Sequence, residues 1–298
     1  MITVDFCPAS AFTGARGEPC LRLSDLSEFD VRKIFDCGQC FRFDPIIPTT
    51  HDVEYGGVVN GRYLTVGRDA DGTVTVHNAA AEDWPWLSRY FALDVDYSAL
   101  RARIASAVPS PVMARASAFG SGIRILRQDG FEALCSFILS QNNNIPRIKG
   151  LIESLCRAYG EPFTDAYGTH YAFPTPERLA EVTEGELRDL RVGFRAPYLC
   201  DAAKRWASGQ IDSVYLSEAP YEEAASMLTA IHGVGPKVAA CVLLFGFGRT
   251  EAFPVDVWIK KVLAAHFGGT FPTDTLGDAA GIAQQYLFYL GRYSDLFK

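Results

Sequence analysis

Lys237 and Asp256 are the two residues of this 298-residue chain whose types and placement could do covalent chemistry. Lys237 follows the turn His232-Gly233-Val234-Gly235-Pro236 and opens an apolar stretch that runs to Phe245, and Asp256 stands nineteen residues later at the start of another helical stretch. A lysine amine is nucleophilic only when neutral; apolar surroundings favour that form, and a nearby carboxylate can accept its proton. The two therefore read as nucleophile and partner, although a surface lysine and an ordinary capping aspartate would give the same letters. The turn before Lys237 has a chemistry of its own. Gly233 and Gly235 lack a Cβ, so the backbone can turn sharply and bring its amides, Val234 included, close to a phosphate, with the positive end of the following helix aimed outward. A plain helix-to-helix connection with a glycine cap is the simpler account of the same turn.

The elements that must position these residues are helices. Tyr221, Ala224, Ala225, Leu228 and Ile231 fall three and four residues apart and predict an amphipathic helix before the turn. Asp129 to Ser140 is apolar on nearly every side, as expected of a helix buried among helices. Asn144 is the natural cap of the next, with Pro146 in its first turn and Gly160 as its stop. Thr175 opens a further helix, Gly193 closes the one after it, Asp256 caps Val257 to Phe267 before Gly268, and Thr273 or Asp274 starts the last. The amino-terminal third differs. Between Val53 and His77, β-branched runs are separated by Asn60-Gly61 and Asp71-Gly72, two-residue turns that need positive φ at both positions, so an antiparallel meander is expected.

Composition narrows the class. Hydrophobic residues make up 48% and charged residues 21%, which excludes a disordered or fibrous chain. No apolar run reaches the length of a spanning helix, and the opening residues do not resemble a leader, so an intracellular protein with no membrane partner is expected. A net charge of −7 speaks against nucleic acid when taken alone. Charge is segregated, however: from Arg101 to Arg127 every charged residue is an arginine, which permits a basic face on an acidic body. The eight cysteines are scattered, as reduced thiols would be; Cys37 and Cys40 form a C-x-x-C without a second pair or clustered histidines, and read as coincidence rather than a redox or zinc site. None follows Cys241, which excludes a carboxyl-terminal iron-sulfur loop.

The segment LTAIHGVGPKVAACVLLFGFGRTEAFPVDVWI resembles the helix-hairpin-helix, Gly/Pro-rich loop and aspartate signature of base-excision DNA glycosylases. FDCGQCFRF, FILSQNNNIPRIKGLIESLCRAYG, LRVGFRAPYL and AGIAQQYLF are similar to the characteristic segments of 8-oxoguanine DNA glycosylases, so the resemblance runs from about Phe35 to Phe288. It implies an α+β chain with an amino-terminal antiparallel sheet domain (residues 1–107) and two all-helical domains (108–298). The hairpin would lie at about 221–246, the Gly/Pro-Asp loop at 248–256, and a carboxyl-terminal helix at 275–291 would complete the pocket.

By the same resemblance, Lys237 attacks the anomeric carbon of the sugar, displaces the damaged base and forms a Schiff base that permits β-elimination, with Asp256 assisting. Asn142, Arg147 and Arg195 are assigned to the orphaned cytosine and Phe194 to the wedge that fills the gap. Gly38 offers its carbonyl to the ring N–H that 8-oxoguanine has and guanine lacks, Gln284 reads the opposite edge, and Phe288 and Cys241 sandwich the base. Gly233, Val234, Gly235 and Trp258 are expected at the phosphates. The chain departs from the family's commonest form at Phe194 (usually Tyr), Trp258 (His), Cys40 (Ser) and Ile231-His232 (Leu-Pro). The implied activity is removal of 8-oxoguanine opposite cytosine from duplex DNA followed by strand cleavage, by a monomer needing no redox cofactor or catalytic metal. Hairpins of this kind can hold a structural cation through backbone carbonyls. Two rivals stay open: a glycosylase for oxidised pyrimidines, and a nonenzymatic protein that binds damaged DNA.

Overall fold

The computed structural model describes residues 2–7, 18–47 and 49–297. Six strands, β1 (Thr3–Cys7), β2 (Cys20–Ser24), β3 (Phe43–Pro45), β4 (Val53–Val59), β5 (Arg62–Arg68) and β6 (Val74–His77), form one antiparallel sheet in the order β1-β2-β6-β5-β4-β3. The β4–β5 turn has the expected form, with Asn60 at φ 49° and Gly61 at φ 67°. The β5–β6 connection does not. There only Gly72 takes positive φ (89°), and Gly72 N–H donates to Asp69 O at 2.9 Å. The Asp71 carboxylate accepts Thr73 N–H at 2.8 Å, which turns the two-residue turn expected there into a loop over residues 69–73. One face of the sheet (Leu21, Leu23, Leu64, Val66, Val74, Val76) packs on the helix Val31–Asp36 in a core of its own, where Phe35 and Phe43 stack at 4.1 Å.

A second apolar core belongs to the helices. Helix Tyr97–Ala107, which precedes the 107/108 division expected from the sequence, buries Tyr97 and Ile104 in this helical core. Asp129 caps Gly130–Ser140, Asn144 caps Ile145–Tyr159 with Gly160 at its end, and Thr175 caps Pro176–Ala180, each side chain accepting an amide of the first turn. Gly130–Ser140 packs on Pro236–Phe247, while Ala280–Tyr293 packs on Pro111–Phe119 and Val257–His266. The segment Cys37–Cys40 is the seam between the two cores: Cys37 lies in the helical one and Cys40 in that of the sheet. None of the helices is long and apolar enough to cross a membrane, among the described residues.

Three local expectations are corrected. The helix Glu184–Asp189 ends at Leu190, and Arg191 takes the left-handed conformation, so Gly193 (φ 65°) opens a short 3-10 turn, Gly193–Arg195, instead of closing the helix. The last helix starts at Ala280, because Gly277 (φ 52°) interrupts the short helix Thr273–Leu276. A hairpin, β7 (Pro162–Asp165) and β8 (Gly168–Tyr171), stands inside the helical region. It is held by the sheet domain: the Tyr63 ring stacks on His170 at 4.1 Å, and Asn78 Nδ2 donates to Asp165 Oδ2 at 2.9 Å.

Candidate active site

The turn 232–235 is built on one aromatic ring. Gly233 sits at φ 77°, and a Cβ there would lie 2.4 Å from the ring of Tyr198, so only glycine fits. His232 N–H donates to Asp201 Oδ2 at 2.8 Å and its ring meets Tyr198 edge-on at 4.8 Å. Val234 is buried, whereas Gly235 is exposed, faces open space and caps the helix Pro236–Phe247. Val234 N–H, expected at a phosphate, donates instead to Ile231 O at 3.0 Å, so it is the exposed Gly235 before the helix start whose amide is placed to meet an anion.

One turn of that helix carries Lys237 and Cys241 on the same side. Lys237 Nζ lies 5.2 Å from the centroid of Phe137 on the neighbouring helix Gly130–Ser140. Burial pushes the Cys241 thiol up, opposed by the adjacent lysine, and the charge of Asp256 reaches it as well. Asp256 Oδ1 accepts Trp258 N–H at 3.0 Å and Ile259 N–H at 2.8 Å, so a helix cap fixes the carboxylate's position. Lys237 and Asp256 line one cleft of about 530 Å³ together with Gly38, Asn142, Cys241, Trp258, Gln284 and Phe288.

The walls of the cleft are pinned by amides. Gln39 is fully buried: Nε2 donates to Ile34 O at 2.9 Å and Arg124 O at 2.8 Å, and Oε1 accepts Leu126 N–H at 2.8 Å. Gln285 Nε2 donates to Cys37 O at 2.7 Å. Gly38 is therefore held from both sides at φ 78°, with the Phe288 ring 3.5 Å from where a Cβ would stand. Gln284 donates through Nε2 to Pro254 O at 3.1 Å, and its Oε1 is buried without a partner. An unpartnered buried acceptor in a cleft wall is a place for a donor on a ligand.

Six expected residues lie off the cleft lining: Arg147, Phe194, Arg195, Gly233, Val234 and Gly235. Arg195 is 2% exposed, and its guanidinium is committed to backbone: Nε to Gln141 O at 3.0 Å, Nη1 to Val192 O at 3.1 Å and Nη2 to Asn142 O at 3.1 Å. It thereby holds Asn142, which takes φ 48°. Arg147 Nη2 reaches Arg191 O at 3.4 Å, and Phe194 is half exposed with the Arg195 guanidinium 4.4 Å from its ring. Cys37 and Cys40 are buried free thiols, that of Cys37 pushed up to about 12 by burial, and no metal-binding cluster occurs among the described residues. The Cys7 side chain lies outside the described ones. Reading the sequence passed over Phe137, Gln39 and Gln285; a second glutamine beside Gln284 in an apolar helix was the one available signal.

Residues 23–134 match the model of the 8-oxoguanine DNA glycosylase N-terminal domain, and residues 135–275 that of the HhH-GPD superfamily of base excision DNA repair proteins. The probable N-glycosylase/DNA lyase of Methanothermobacter thermautotrophicus is 35% identical over 204 residues, covering 59% of this chain and 65% of that protein. The N-glycosylase/DNA lyase of Saccharomyces cerevisiae is 39% identical over 188 residues, covering 59% of this chain and 49% of that protein. The chain thus spans less than two thirds of either relative's length. The structure of Clostridium acetobutylicum 8-oxoguanine glycosylase/lyase, in complex with double-stranded DNA containing cytosine opposite 8-oxoguanine, superposes with a TM-score of 0.85 at 32% identity. That match covers 98% of this chain and 97% of the clostridial one.

Proposed function

Because the chain belongs to the HhH-GPD superfamily of base excision DNA repair proteins, with the 8-oxoguanine glycosylase type of N-terminal domain, we propose that it excises 8-oxoguanine opposite cytosine from duplex DNA and then cleaves the strand. The observation that carries this reading is one cleft holding an amine, a capped carboxylate, a fixed backbone carbonyl and an unpaired amide oxygen. A base inside a duplex is out of reach of such groups, so the target nucleotide is extruded into the cleft. Lys237 Nζ attacks C1′ in its neutral form, and the glycosidic bond breaks with its electron pair leaving on the base, which is protonated. The Asp256 carboxylate supports the positive charge that develops on the sugar and handles the lysine's proton. Ring opening gives a Schiff base between Nζ and C1′; loss of a C2′ proton then expels the 3′ phosphate by β-elimination. No step draws on a redox cofactor or a catalytic metal.

Recognition rests on polarity. The Gly38 carbonyl accepts the N7–H of 8-oxoguanine, while guanine would set a lone pair against it at a cost of about 1–3 kcal/mol. Gln284 Oε1 accepts an N–H of the opposite edge, with Phe288 and Cys241 on the faces of the ring. Asn142 and Arg147 address the orphaned cytosine and Phe194 fills the gap. Arg195, bound to backbone, supports the loop that presents Asn142. Borohydride trapping on duplexes containing 8-oxoguanine opposite cytosine, guanine or thymine glycol tests the proposal. We expect a covalent adduct on the first alone, lost in Lys237→Gln. Trapping on thymine glycol instead would move the substrate to oxidised pyrimidines, and tight binding with no adduct on any duplex would refute the lysine mechanism.

A further inference from the structure

The chain carries a net charge of −7, yet three cations, Lys237, Lys260 and Arg292, line the cleft against a single carboxylate, Asp256. Lys237 must be neutral to attack, which leaves Lys260 and Arg292 as its standing positive charges. Neither pairs with a carboxylate among the described residues. The Arg292 guanidinium is braced on aromatic rings, 5.9 Å from the centroid of Phe288 and 5.4 Å from that of Tyr293, whose hydroxyl donates to Asp36 O at 2.7 Å. It stands one helical turn beyond Phe288, the ring assigned to the extruded base. Lys260 stands one turn beyond Asp256, and its amide donates to Asp256 O at 2.9 Å.

The neighbouring helix start is closed to an anion. The amides of Trp258 and Ile259 at the start of Val257–His266 are taken by Asp256 Oδ1, and a carboxylate there repels a phosphate. Trp258 itself offers one neutral indole N–H where the family's commonest form has histidine, and the Lys261 ammonium lies 4.8 Å from its ring centroid. Extruding a nucleotide swings its flanking phosphates toward the protein, where their charge needs neutralising.

We propose that Arg292 and Lys260 grip the phosphates flanking the extruded nucleotide, supplying the positive charge that Trp258, with its single neutral N–H, does not. This assignment rests on the glycosylase reading and names the residues that position its substrate. A guanidinium fits a phosphate in a two-point contact and an ammonium as a point charge.

The test uses duplexes with 8-oxoguanine opposite cytosine, intact or with a neutral methylphosphonate replacing one flanking phosphate. For the wild type, methylphosphonate substitution should weaken binding. For Arg292→Ala with Lys260→Ala that penalty should vanish, and the dependence of log affinity on log salt should flatten by about 0.9 per residue removed. Arg292→Lys, which keeps the charge, should retain the slope, and Trp258→His should reduce the loss caused by Arg292→Ala. A double variant with wild-type slope and wild-type methylphosphonate penalty would overturn the grip, provided the wild type excises the lesion. A wild type that excises nothing would overturn the glycosylase reading itself.

Discussion

At the scale of single residues, the site depends on positions where the backbone acts and the side chain merely permits it. Gly38 is at φ 78°, which an alanine resists, and an added methyl would stand 3.5 Å from Phe288. Gly38→Ala should therefore tilt the carbonyl and erode selectivity more than rate. The ratio of kcat/KM for 8-oxoguanine over guanine should fall by roughly 5- to 100-fold, the equivalent of about 1–3 kcal/mol; an unchanged ratio would remove the carbonyl from the recognition scheme. Lys237, Asp256, Gln284 and Phe288 were legible because each sits in a contiguous motif. Gln39 and Gln285 stand in two of the same motifs yet were not singled out, since their amides bond carbonyls remote in sequence, and the apolar helix around Gln285 was the one local mark.

At the scale of elements, local signals read well and tertiary ones did not. The caps Asn144, Thr175 and Asp256 satisfy amides two or three residues away, so sequence alone reveals them. The hairpin β7–β8 is four residues a side, with no alternating apolar pattern, and owes its place to the Tyr63–His170 stack and the Asn78–Asp165 bond. The helix Gly130–Ser140 carries a testable charge in its first turn. Glu132 is half-buried, and the loss of solvent around it pushes its carboxyl up to about 7 against the pull of Arg42, 3.9 Å away. A carboxyl raised on folding contributes stability that is fully present below its unfolded value and is lost as pH rises through about 7. Glu132→Gln should hence be neutral near pH 4.5 and stabilising above pH 7, on the order of 1–3 kcal/mol, read as a growing difference in Tm between pH 5 and 8. A difference that stays constant with pH would place the titration elsewhere.

At the scale of the whole molecule, an acidic body presents a cleft whose few charged residues are mainly cations, three against one carboxylate, with the exposed Gly235 nearby. Charge patterning in the sequence permitted such a face, but which residues form it emerged only when the chain folded: Lys260 and Arg292 come from separate helices, and the all-arginine run 101–127 contributes nothing to the cleft lining. Few cations at the contact imply a shallow salt dependence. The slope of log affinity against log salt for lesion duplex should lie at about −2 to −4, a loss of roughly 15- to 250-fold between 50 and 200 mM salt. A slope near −8 would mean that a larger basic surface takes part.

The seam at Cys37–Cys40 has one more consequence. The carbonyl assigned to telling the damaged base from the normal one hangs between two cores, tied through Gln39 to residues 124–126 and through Gln285 to the last helix, while the amine and carboxylate belong to the helical region alone. On the proposed assignment, fidelity and catalysis have different mechanical foundations. On that assignment we expect warming that slackens the seam to lower the preference for 8-oxoguanine over guanine before excision itself slows, so that the first symptom of a failing fold is not silence but carelessness.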